Sequence, residues 1–478
     1  MSYNKSIFQV SPAVEVAYDL SLVAALLRAA SVNASDKICH GYGTEFRNLL
    51  TQDVAGENWK DRVRLNDAFY DKSLAAPRTL QQEKAVKKTS EDPLWNIRHI
   101  PITPKLAQRT NFVRHADNLW DIPKRVALMV RKGCEGHEAY ARLMGLVAGE
   151  GESQDLLQFF IDAKIASMHP TSPIAGPRDV EEDMPKADAE VLKLFYPYSK
   201  AMVSNIELMC TDWRPKLVST HFALLLDSLL RLHAFMEVRH LVKINARFIL
   251  MLESSQRNGF GYSAAEVRDF LKVPAVEVGD DLGSEVRQLA NSHERSLRFL
   301  EYLEAESVEI AQNSQSLDAM SAWTLRVANR QDTGFLKAWD HVQADAESGE
   351  LDRSIKSSSR IDNFTEFMTY SIQKRQMNTG RDGQYDQSYW ASKSGAYKAA
   401  PWNFSVSPVG SILFAGLAAR RLATCSFSEI RNEMTNSGLR LGSEGEVQLH
   451  DHLKGLGLAI DSPDGAGGFL VSNPFHVN

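Results

Sequence analysis

Apolar residues recur at three- and four-residue steps over most of this chain, and that spacing predicts helices. The longest such run, PKLVSTHFALLLDSLLRLHAFMEVRHLVKINARFILMLESSQ from Pro215, has no Pro or Gly after its start. Phe222, Leu225, Leu226, Leu229, Leu232, Val238, Leu241, Phe248 and Leu252 define one wide apolar face. The pattern predicts one very long helix or two in tandem, ended by GFGY (259–262), as the spine of a helical array. Shorter helices are predicted after Ser11-Pro12, from Pro123, over 153–168, at 263–271 with a Ser-x-x-Glu capping box, from Ser284 to about Asn313, near 316–330 and 334–346, and over FTEFMTYSIQKRQM.

Three stretches break this periodicity. Residues 76–110 carry Pro77, Pro93, Pro101 and Pro104 and predict an extended, exposed segment. MHPTSPIAGPRDVEEDMP (168–185) predicts a loop or boundary, and the Ser-rich 347–360 a junction. The resulting division is an N-terminal helical domain with Pro-rich segments (1–185), a central long-helix domain (186–350), a basic, aromatic connecting region (351–406) and a C-terminal domain (407–478). In the last, SPVGSILFAGLAARRL, SFSEIRNEMTNSG and SEGEVQLHDHLKGLG predict three helices, and LAIDSPDGAGGFLVS two short strands around a Gly-rich tip. The expected fold class is mainly α: a multi-helical body with a C-terminal winged-helix (α+β) module.

A 44% hydrophobic, 24% charged composition is that of a globular protein. The net charge of −6 excludes a general nucleic-acid coat, so any such contact must be a local patch. Cys39, Cys134, Cys210 and Cys425 form no CxxC pair, which argues against zinc ribbons and disulfide scaffolds. No signal peptide or membrane-spanning run is read, and the expected location is the cytoplasm.

Catalytic patterns are missing: GxxxxGK[ST], GxGxxG after a strand, GxSxG and HExxH do not occur. His450 and His452, two apart on a predicted helix, face different ways, which disfavours joint metal ligation. His221, His233 and His240 on the long run read by default as core histidines, and Glu190, Glu429 and Glu433 as helix-surface carboxylates. No cofactor or metal is expected.

Charge is locally concentrated. Lys105 to Lys132 holds seven basic residues against two acidic ones, and Arg353 to Lys398 eight against four. The second stretch ends with Tyr389, Trp390, Lys393, Tyr397, Lys398, Trp402 and Phe404 interleaved. Cations neutralise phosphates and exposed aromatics stack bases. The candidate nucleic-acid contacts are therefore Lys374, Arg375, Arg381, Trp390, Lys393, Lys398 and Trp402, with Arg420 and Arg421 at the end of the module's first helix. The bland reading is a solvated charged surface with aromatics packed on the body. From Ser426 onward three basic residues face seven acidic ones, a balance that phosphate would repel. Protein docking is favoured over groove reading for this module.

The end of the chain, with SPVGSILFAGLAARRL, FSEIRNEMTNSGLRL, HLKGLGL and SPDGAGGFLV, resembles the end of DptG proteins, accessory subunits of DNA-phosphorothioation-dependent restriction. The resemblance implies a non-catalytic subunit acting with an ATPase and a translocase-like partner against foreign DNA. It carries over no active-site residue. The expectation is a scaffold or adaptor subunit of a bacterial DNA-associated complex in anti-phage restriction, with protein subunits and DNA as partners and no membrane. The alternatives are an enzyme, such as a metal-dependent nuclease, with a site assembled from scattered residues, and a regulatory protein that dimerises through the winged module.

Overall fold

The computed structural model describes residues 7–8, 21–31, 122–149, 176–217, 219–350, 359–372, 389–393, 401–460 and 469–476. Of these, 70% are helical and 6% are in strands, so the mainly α expectation holds. The expected helix over 153–168, the extended 76–110 segment and GYGTEF (41–46), where the sequence offers an opening for a second helix, lie outside the described residues.

The first helices are α1 (Ser21–Ser31), α2 (Ile122–Gly133) and α3 (Gly136–Ala148). The expected start of α1 at Ser11 is outside the described residues. A one-turn 3-10 helix, Glu181–Asp183, precedes α4 (Ala189–Phe195), whose first turn is capped by the Asp188 carboxylate accepting from the Val191 amide at 2.8 Å. Then α5 (Ser199–Leu208) runs into a π-helical turn, Met209–Trp213. The tandem-or-single question for the long run is answered by one helix, α6 (Ser219–Asn258). It stops at Gly259, whose φ of +70° only Gly adopts without strain.

The Ser263–Glu266 capping box opens α7 (Ala264–Leu271), as the sequence predicts. A two-residue strand, β1 (Val276–Glu277), leads to α8 (Leu282–Ala305), α9 (Ile310–Asn313), α10 (Leu317–Ala328), α11 (Thr333–Glu347) and α12 (Ser359–Ile372). The single helix expected from Ser284 to about Asn313 is thus two. The chain turns at Ser307, at φ +57°, and the Val308 amide donates back to the Leu303 carbonyl, closing α8.

A hairpin of β2 (Ala391–Lys393) and β3 (Trp402–Phe404) precedes the C-terminal unit. That unit runs α13 (Pro408–Ala419), β4 (Thr424–Ser426), α14 (Phe427–Asn436), β5 (Leu439–Arg440), α15 (Ser443–Gly455), β6 (Ala459–Ile460) and β7 (Leu470–Ser472). Ser407 and Ser426 cap α13 and α14, with Pro408 at the first position of α13. Strands β4, β7 and β6 form an antiparallel sheet in that order, pairing Cys425 with Val471 and Val471 with Ala459 on the inner face. The outer face pairs Ser426 with Leu470 and Leu470 with Ile460.

Helix α6 is the spine, packing against α1, α5, α8, α10, α12 and α13. Its buried face is not purely apolar. Asp227 and Arg231, both fully buried, pair at 2.7 Å, and Arg231 also donates to the Tyr370 carbonyl on α12. Asn245 donates to the Phe8 carbonyl. One continuous core runs from Phe8, through α6, to Phe475. At its far end Gly416 of α13 lets Phe475 and Trp213 approach so closely that a Cβ would lie 2.4 Å from the Phe475 ring.

Candidate functional site

The basic, aromatic surface expected ahead of the C-terminal unit is not what the described residues form. Trp390 is 1% exposed: its indole N–H donates to the Ser228 carbonyl at 2.8 Å, and its ring lies edge-on to Phe414. It is a core residue with no face for a base, which corrects its assignment as a stacking contact. Tyr389 and Phe404 are buried with it, Phe404 edge-on to Phe235. Trp402 is half-buried and packs against the core opposite Lys393 in the β2–β3 hairpin. Within β3, Trp402 and Phe404 are two residues apart and so lie on one face of the hairpin. Lys374, Arg375, Arg381 and Lys398 lie outside the described residues. Arg420 and Arg421 are at the surface after α13, Arg420 within 3.4 Å of the Ser204 hydroxyl.

The first basic stretch is largely neutralised where it is described. The acidic run of the 168–185 segment folds onto α2, so that Lys124 pairs with Asp183 and Arg131 with Glu181 through two short bonds. Lys132 pairs with Glu237 of α6. Hydrogen bonding to Glu181 holds the Arg131 guanidinium above its ordinary range, and the Arg131 contact lowers Glu181.

In the C-terminal unit, α15 exposes Glu444, Val447, Asp451 and Lys454 along one face. Its N-terminal end abuts the body. A Cβ on Gly442 would lie 2.3 Å from the Glu277 carboxylate, and one on Gly445 2.9 Å from Val278. Parallel pairing of β5 with β1 and the Arg440–Glu277 ion pair at 2.8 Å hold this end in place. Five of the eight large hydrophobic side chains exposed among the described residues are in this unit: Leu422, Val447, Leu456, Ile460 and Leu470. Phe469 is covered from both helices, by Phe427 and by an edge-on His450.

A cleft of about 90 Å³ opens between α2 and α6, with Leu22 of α1 and Phe367 of α12 in its walls. Among its polar lining groups are Lys132 and Glu237, 8% and 15% exposed and 2.8 Å apart. Lys132 also lies over the Tyr196 ring, 4.1 Å from its centroid. Burial alone would lower the Lys132 ammonium, but the charge and hydrogen bond of Glu237, with Tyr196, raise it above the usual lysine range. Burial raises the Tyr196 phenol in turn. Behind Tyr196 and Glu237 is a second cavity of about 10 Å³, room for one water, lined also by Ser199, Met202 and His233. The His233 Nε2 is buried without a hydrogen-bond partner, and burial pushes that imidazole down to about 3. The His240 Nε2–H donates to the Leu194 carbonyl, and burial pushes this imidazole down to about 4. Both are neutral core histidines at pH 7, whereas His221 is exposed. Among the described residues no three His, Cys, Asp or Glu side chains converge as metal ligands.

Sequence reading counted Lys132 only as charge and did not single out Glu237, Tyr196 or their cleft. The available signal was Asp227, Arg231, His233 and Glu237 interrupting an otherwise apolar run. Charges on a helical core face need partners: Asp227 and Arg231 find one another on α6, and Glu237 finds Lys132 on α2.

The chain matches no protein-family model, and no curated protein matches it.

Proposed function

We propose that this chain is a non-catalytic scaffold or adaptor subunit whose residues 407–472 form a winged-helix module specialised for docking to protein. Support for the module comes from its order of elements: a helix, a strand, two further helices with the two-residue β5 between them, and two strands, β7 lying between β4 and β6 in the sheet. The observation that carries the docking role is the position of α15. In groove-reading winged helices the third helix enters the major groove. Here its N-terminal end is packed on Glu277 and Val278, and its exposed face carries Glu444 and Asp451 around Val447. Phosphate would meet two carboxylates there and the body of the protein behind them. Protein partners meet exposed Val447, Leu456, Ile460 and Leu470 instead, side chains suited to an interface core.

The setting of a DNA-associated complex in phosphorothioation-dependent restriction rests on the likeness of the C-terminal residues to DptG. Any DNA contact would fall to Arg420, Arg421 and the cations of the 373–398 stretch, and would be non-specific. Affinity purification of the tagged chain from its host, with duplex-DNA titrations across salt, tests the reading. Expected is a stoichiometric nucleic-acid-handling partner that is lost on Val447→Asp, with DNA affinity falling steeply as salt rises. Recovery of no such partner together with no salt-sensitive DNA affinity would overturn it.

A further inference from the structure

We propose that the cleft between α2 and α6 is a binding site for a small, neutral organic molecule with an apolar, ring-sized body and a carboxamide-type edge, a donor beside an acceptor, placed against Lys132 and Glu237.

Two charges held at 8% and 15% exposure lose much of their hydration, and an apolar pair of similar volume is often as stable or more so. Fold stability therefore does not account for a charged pair in this wall. Its geometry does suit recognition. The Lys132 ammonium carries three N–H donors, of which one goes to Glu237 at 2.8 Å while the Tyr196 ring faces the group at 4.1 Å. The Glu237 carboxylate has more acceptor capacity than that one bond uses. A donor and an acceptor thus stand side by side in an otherwise apolar enclosure.

The charge balance selects the ligand. An anionic head placed on Lys132 would face Glu237, and a cationic head placed on Glu237 would face Lys132. Neither gains a net opposite charge for the hydration it gives up. The remaining charged lining, Arg125 and Asp183, is one cation and one anion, so it does not tip this balance. A neutral group that both donates and accepts satisfies both partners at once. Val126, Met129, Val238, Leu241 and Phe367 supply the apolar walls. A volume of about 90 Å³, measured so that about 10–15 Å³ holds one water, admits a single ring with one polar substituent. Apolar walls with few convergent polar groups are the general form of small-molecule sites.

The test uses the full chain and three probes of one shape: benzamide, benzoate and benzylamine, followed by saturation-transfer NMR. Benzamide is expected to bind at least about tenfold more tightly than either charged analogue, each factor of ten being about 1.4 kcal/mol. Val238→Trp, which fills the cleft from a partly exposed wall position, is expected to abolish benzamide binding. The double variant Lys132→Met, Glu237→Met keeps the volume apolar and leaves no buried charge unpaired, so it should fold. It is expected to lose benzamide about tenfold while gaining affinity for toluene. Thermal melts of both variants check folding independently. No benzamide binding up to about 10 mM, the affinity range of very small ligands, would overturn the proposal. Tighter binding of benzoate or benzylamine, or unchanged benzamide binding in either folded variant, would do so as well. These outcomes are independent of whether the C-terminal unit docks to a partner.

Discussion

The helical body and the C-terminal unit put their chemically mismatched residues on opposite sides of the surface. Along α6, charged and polar groups are inside: Asp227 with Arg231, His233, and Lys132 reaching in from α2 to Glu237. The C-terminal unit has an apolar core of its own but also leaves five large apolar side chains outside, with Leu422 and Val447 at 65% and 61% exposure. Interior charges with partners on other elements fix how helices register against one another, because a slip leaves a charge unpaired at high cost. Exposed apolar groups impose no such constraint on the fold and are available to another surface. The contrast separates a region with paired charges in its interior from one that leaves large apolar groups at its surface.

The comparison can be broken most forcefully at Arg231. Arg231→Ala strands the buried Asp227 carboxylate and is expected to cost about 3–5 kcal/mol, read by denaturant unfolding. Replacing both, Asp227→Leu with Arg231→Met, should recover most of that loss. If the single variant is as stable as the parent, the interior charges do not set helix register.

The second effect is in pH. His233 titrates at about 3 when folded, against 6.5 ordinarily. Between those values the unfolded chain carries a proton that the native chain does not. Stability therefore falls as pH drops below 6.5, by up to about 1.4 kcal/mol per unit from this group. His240, lowered to about 4, adds a loss of the same sign. His233→Leu should flatten the curve between pH 7 and 5, by about 2 kcal/mol at the lower end. An unchanged slope in unfolding curves would show that His233 is protonated or exposed in the native state.

Smaller effects sharpen the other half of the contrast. Ser426→Ala removes the cap of α14 and one half of its capping box, and is expected to cost about 1 kcal/mol by thermal unfolding. Leu470→Ser, on the outer face of the β4–β7–β6 sheet, should change stability by no more than about 0.5 kcal/mol. It should nonetheless reduce recovery of a bound partner. A destabilisation of several kcal/mol would instead place Leu470 in the core.

Much of the helical body was legible in the sequence because its signals are local. The absence of Pro and Gly across α6, the Ser263 capping box and the Gly259 stop can all be read from contiguous stretches of sequence. What was not legible depends on partners distant in the chain. The parallel pairing of Val276 with Leu439 joins segments far apart, and two-residue strands leave no periodicity to read. Trp390 looked like a stacking platform because its neighbours are basic, yet its N–H finds a carbonyl on α6. The cleft was invisible for the same reason: Lys132 sat in a basic stretch and Glu237 in an apolar one, and only packing α2 on α6 made them a pair.

One consequence of α6 is mechanical. At about 1.5 Å per residue, a 40-residue helix is a rod roughly 60 Å long. Pro and Gly, common sources of kinks, are absent from Ser219 to Asn258. A load applied at the end that carries α13 would be transmitted along the rod rather than absorbed within it. A change of shape involving α6 would then fall at its ends, at Gly259 and in the turn around Trp213, rather than within the rod.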